Sequence, residues 1–126
     1  KFYINYNELR CSKGSKKGDI FNIARCAGIL AAKKTSELIP LCHTINLNTI
    51  EIDFKINEKE YLIEVFSSVK SSANTGVEME ALTAVAVASL TIYDMCKSID
   101  KSIQINDLKL CYKSGGKSGE FINDNI

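Results

Sequence analysis

Surplus charge is what this chain of 126 residues most plainly lacks. Its 16 Lys and Arg stand against 15 Asp and Glu, a formal net charge of +1. No global field therefore draws it onto nucleic acid or an anionic membrane surface. No two of Cys11, Cys26, Cys42, Cys96 and Cys111 form a CxxC pair, and their number is odd. That excludes a disulfide framework and argues against a zinc site; no metal is expected. It also suits a reducing compartment, the cytoplasm or, for a eukaryotic chain, the mitochondrial matrix. No apolar run reads as long and charge-free enough to span a bilayer, so no membrane partner is expected. The opening "KFYINYNELR" is neither a signal peptide nor an Arg-rich transit peptide. It lacks an initiator Met, so a preceding segment is expected. Arginine is scarce beside lysine, whose ammonium can bind phosphate or, when buried, exchange protons.

The remainder is globular in composition: 45% hydrophobic, 25% charged, one proline. A chain of this length is read as one domain, residues 1–126, with a core of its own. "KFYINY" alternates weakly and predicts a short strand over 1–6. "DIFNIARCAGILAAKKTSELI" has helical spacing, with Asp19 as N-cap and Pro40 as stop, and predicts a helix over 19–39. "INLNTIEIDFKI" predicts a strand over 45–56 with a parity slip near Asn48 that suggests a bulge. "YLIEVFSSVK" predicts its hairpin partner over 61–70. A long helix spans 75–100, "SIQINDLKLCYK" predicts a last strand over 102–113, and "SGGKSGEFINDNI" reads as a glycine-rich tail. The order β-α-β-β-α-β predicts an α+β, ferredoxin-like domain, an antiparallel sheet with both helices on one face.

The second helix is unusual. Between Met79 and Met95 only Glu80, Asp94 and the phenol of Tyr93 can ionise. A helix apolar all round must be covered by something, most simply by another copy of the chain. A homo-oligomer built on this helix is expected.

Several residues could carry chemistry. Thr75 and Glu78 stand at capping-box spacing, which gives Glu78 a structural role. Glu80 is a lone carboxylate in the helix's first turn. Asp94 and Lys97, three apart, share a helix face; they form either an ordinary ion pair or, partly desolvated, an acid/base pair. His43, in "IPLCHT", belongs to a loop. "KSGGKSG" is not a Walker A loop, but its glycines between Lys113 and Lys117 can form an anion-binding nest, or simply a flexible tail. Together these residues suit an anionic, phosphorylated small molecule.

"AKKTSELIPLCH", "TGVEMEALTAVAVASLTIYDMCK" and "KSGGKSG" closely resemble the cyclic pyranopterin monophosphate synthase family of molybdenum cofactor biosynthesis, over about residues 17–119. The resemblance implies a lyase without metal or organic cofactor. It converts the cyclised dihydro-GTP intermediate to cyclic pyranopterin monophosphate and releases pyrophosphate. It also implies a hexamer, a trimer of dimers, of ferredoxin-like subunits. Residue by residue, it makes Asp94 the catalytic aspartate, Lys97 an essential lysine and Lys17 a second lysine needed for activity. It makes Leu41, Cys42 and His43 one substrate-binding segment, Met79 and Glu80 another, and Lys113 a further pocket lysine.

The chain departs from the family where Thr44 replaces a usual proline and Asn74 a frequent lysine, and where an N-terminal arm would precede Lys1. Glu80 and Asp94 lie fourteen residues apart (94 − 80), roughly 21 Å along a helix. If both serve one pocket, two chains must build it. The alternative reading is an oligomeric ferredoxin-like module that binds an anionic metabolite without turnover. An RNA-binding reading is disfavoured by the near-neutral charge and the lack of an aromatic RNP-like strand.

Overall fold

A computed structural model describes residues 2–3 and 19–124. Its elements are β1 (Phe2–Tyr3), α1 (Ile20–Lys33), α2 (Thr35–Leu38), β2 (Thr49–Asn57), β3 (Leu62–Lys70), α3 (Glu78–Cys96), β4 (Gln104–Ile105), β5 (Tyr112–Lys113) and β6 (Phe121–Ile122). The protein is α+β. Four strands form an antiparallel sheet in the order β2-β3-β1-β4, and β5 pairs with β6 in a separate ribbon.

Asp19 caps α1 as its position before an amphipathic run requires: its Oδ1 accepts from the backbone N–H of Phe21 and Asn22 at 3.1 and 3.3 Å. The expected single helix over 19–39 is broken at Lys34. There the Thr35 hydroxyl, buried, donates to the carbonyls of Ala31 and Ala32 at 3.1 and 2.9 Å and competes with the helical ladder. The parity slip near Asn48 falls where β2 begins: Thr49 stands opposite Lys70, and the Asn48 N–H also donates to the Lys70 carbonyl at 2.8 Å. Residues 46–48 are held further by Ser71 Oγ on the Asn46 carbonyl (2.7 Å) and by the Ser72 N–H on Asn48 Oδ1 (2.8 Å).

The expected last strand is two short ones. Asp107 takes a left-handed φ of 58° between them, which ends extended pairing. The expected glycine-rich tail is the turn and return strand of the β5–β6 hairpin. Gly115 and Gly116 reverse the chain at φ 80° and 73°.

α1 and α3 pack against each other, α1 rests on β2, and α3 rests on β3 and β2. The core between them holds Ile20, Ala24, Ile52, Ile63, Val65, Ala84, Ala88 and Ile92. Small residues let the two helices approach closely: a Cβ on Gly28 would meet Ile52 Cδ1 and stand 2.8 Å from the Ala84 carbonyl oxygen. Ser67 Oγ ties β3 to α3 by donating to the Ala81 carbonyl at 2.7 Å. Contrary to the expectation that no segment could cross a bilayer, α3 is long and apolar enough to do so, with a mean hydropathy of 1.3. Its packing against α1 and the sheet is that of a core helix.

Gly28→Ala should therefore destabilise the fold by about 1–3 kcal/mol through overpacking. Urea denaturation checks it: the midpoint should fall while the slope stays constant.

Candidate functional site

The two ends of α3 hold two separate groups of side chains. At its N-terminal end, Glu78, Met79 and Glu80 form the first turn. Glu80 is only 3% exposed although it is ionisable. Burial is the main force pushing its carboxyl up, its own backbone N–H opposes this, and the negative charge of Glu78 adds to the rise.

The Leu41-Cys42-His43 segment comes close to this turn. The Cys42 thiol is pushed up first by burial and then by the charges of Glu80 and Glu78, and it donates to the His43 carbonyl at 3.7 Å. Leu41 is 95% exposed and His43 is exposed. The segment is tied to α2 by Thr44 Oγ1 and Ser36 Oγ at 3.0 Å. Thr44, which stands where a proline was expected, therefore has a hydroxyl contact that proline could not make.

Glu78 does not close a capping box. The helix starts at Glu78 itself, and no side chain caps it. The Glu78 carboxylate instead meets the ammonium of Lys113, on β5, at 3.3 Å. A charged partner offers a stronger bond than a neutral backbone N–H. That contact spans 35 residues of sequence, so local spacing carried no sign of it.

At the C-terminal end of α3, Lys97 Nζ lies 2.8 Å from Asp94 Oδ1. Their side chains are 51% and 65% exposed, so within one chain this is a solvated ion pair. The hydrogen bond and charge of Asp94 hold the Lys97 ammonium above its ordinary range. The partial desolvation that would turn the pair into an acid and a base is not supplied by this chain alone.

α3 is continuous from Glu78 to Cys96, so its two ends lie roughly 27 Å apart. The structure thus gathers Cys42, Met79, Glu80 and Lys113 at one end and Asp94 and Lys97 at the other. Lys17 lies outside the described residues. A cleft of about 430 Å³ between β3, α3 and residues 107–114 reaches that end of α3 through Glu78 and Lys113; its walls combine Val65, Leu82, Val85 and Leu108 with Lys70 and Lys109. Among the described residues no group of three or more His, Cys, Asp or Glu side chains could hold a metal. Cys26, Cys42 and Cys111 are free thiols, and Cys96 is buried.

Because the folded state raises the Glu80 carboxyl above its ordinary 4.5, it favours the protonated form. The stability this gives is present below that value and is lost as pH rises through the raised one. Glu80→Gln should flatten that decline. Urea melts at about pH 4 and about pH 7 measure it, and the variant should lose less stability than the parent between them.

Comparison with known proteins supplies the context for these residues. Residues 5–116 match the MoaC family. A cyclic pyranopterin monophosphate synthase of Clostridium botulinum (strain Alaska E43 / Type E3) is 59% identical over 110 residues, 87% of this chain and 69% of that protein. The protein of the same name from Heliobacterium modesticaldum is 54% identical over 108 residues, 86% of this chain and 68% of its own length. That of Bordetella parapertussis is 52% identical over 116 residues, 92% and 72% respectively. This chain belongs to the MoaC family.

Proposed function

We propose that the protein is a cyclic pyranopterin monophosphate synthase. It takes 3',8-cyclo-7,8-dihydro-GTP, rearranges it to cyclic pyranopterin monophosphate and releases pyrophosphate, a lyase step in molybdenum cofactor biosynthesis. The observation that carries this reading is the 59% identity, over 87% of the chain, to a relative of that name. The sheet order β2-β3-β1-β4, with α1 and α3 packed together, supports the finer reading of the fold as ferredoxin-like.

The residue types suit the chemistry. Opening the imidazole-derived ring and closing the pyran move protons on and off nitrogen and oxygen. The role falls to Asp94 and Lys97, already in hydrogen-bond contact. Lys97, held protonated by Asp94, is the proton donor and Asp94 the acceptor. Closing the cyclic phosphate requires a sugar hydroxyl to attack the α-phosphorus while pyrophosphate leaves. Positive charge near the leaving group favours that step, and Lys113, Lys17 and His43 supply it. Leu41, Cys42, Met79 and Glu80 line the substrate pocket. The acidic side chain of Glu80 can accept hydrogen bonds from the N–H groups of a guanine-derived ring.

These roles need both ends of α3 in one pocket, and the ends of one helix are too far apart. The active site therefore lies between subunits, where a second chain desolvates the exposed Asp94–Lys97 pair. The flank of α3 supports this: Leu90 is exposed, and Val85 and Leu82 line an open apolar cleft. The assembly is a homo-oligomer, a hexamer arranged as a trimer of dimers, in a reducing compartment such as the cytoplasm.

Incubation with the cyclised intermediate should release pyrophosphate and yield a pterin that fluoresces after oxidation. Asp94→Asn should bind the intermediate with unchanged affinity and lose about a hundredfold or more in turnover. A non-catalytic binding module would yield neither product from the parent chain. In a second experiment, inactive Glu80→Ala and Asp94→Ala subunits are mixed. Part of the activity should return, because each mixed interface can hold one intact site. No recovery in verified mixed oligomers would rule out the shared pocket.

A further inference from the structure

We propose that Glu78 is a positioning residue that holds the Lys113 ammonium in place beside the first turn of α3. The proposal rests on the reading above, in which Lys113 serves the phosphate chain of the substrate.

The argument starts from an ill-matched pair of environments. Lys113 is on a two-residue strand of a small ribbon, yet its side chain is only 15% exposed. The Glu78 carboxylate meets its ammonium at 3.3 Å. The second carboxylate oxygen, Oε2, is buried and has no hydrogen-bond partner among the described residues. A buried carboxylate oxygen without a partner is costly. In this geometry the Lys113 contact is the return.

Two glycines make room for the pair. A Cβ on Gly76 would come within 2.5 Å of Glu78 Oε2 and 2.7 Å of Lys113 Cε. A Cβ on Gly116, which stands at φ 73°, would come within 3.2 Å of the Gly76 nitrogen. The pair thus sits in a slot with the chain before α3 on one side and the β5–β6 turn on the other. Any side chain at Gly76 pushes both members out of it.

Charge and position predict opposite outcomes when Glu78 is neutralised. If the carboxylate merely quenches the ammonium, its removal should tighten anion binding. If it positions the ammonium, a largely buried Lys113 loses its counter-charge and turns toward water, and anion binding weakens.

The test uses the full chain, inorganic pyrophosphate as the calorimetric probe and the cyclised intermediate for kinetics. Glu78→Gln should raise the pyrophosphate Kd about tenfold and lower kcat/KM by at least as much, since Lys113 also supports the departing pyrophosphate. Gly76→Ala displaces the same two side chains without changing charge and should shift Kd and kcat/KM in the same directions; if Glu78→Gln does not fold, Gly76→Ala carries the test alone. Lys113→Ala calibrates the loss. If Lys113→Ala weakens pyrophosphate binding while Glu78→Gln leaves it unchanged or tightens it, the positioning role is overturned and the phosphate role of Lys113 stands. A loss in kcat alone overturns it as well. If Lys113→Ala itself leaves binding unchanged, the assignment of Lys113 to the phosphate chain fails, and the proposal fails with it.

Discussion

The close approach of α1 and α3 governs the rest of the structure. Gly28 lies against Ile52, Ala84 and Ala88, and no side chain separates the two helices there. Ala24 and Ala88 are fully buried in the same core. This contact fixes α3 over β3 and β2, and the Ser67–Ala81 hydrogen bond fixes it further. Once α3 is fixed, so are its two ends, which carry the functional groups. Small residues serve here because they allow close contact and lose little side-chain entropy on burial.

That placement leaves one chain with two separate groups of side chains. Near the N-terminal end of α3 lie a buried carboxylate, a half-buried thiol and a lysine held by Glu78. At its other end the helix presents an ion pair to solvent. On the proposed reading, a second subunit that covers the exposed flank of α3 also completes both groups.

Much of this was legible in the residues. The Asp19 cap, the hairpin of β2 and β3 and the long apolar helix all follow local rules of spacing, and all three stand in the structure. Two of the errors share a cause: a competing bond that sequence spacing does not display. Thr35 broke a helix that periodicity ran through to residue 39, because its hydroxyl took two carbonyls. Glu78 looked like a cap residue because its true partner is a lysine far along the chain. The glycine tail looked unstructured because its return strand is only two residues long.

Element order, the apolar character of α3 and the motif residues that mark the family were determined by the sequence itself, because they depend on local periodicity and on residue identity. Which carboxylate is buried and which lysine is held were decided only by the tertiary structure. Burial and ion pairing depend on which distant segments meet. Glu80 and Asp94 lie nearly four helical turns apart. Only the packing of the chain shelters the first and leaves the second in water.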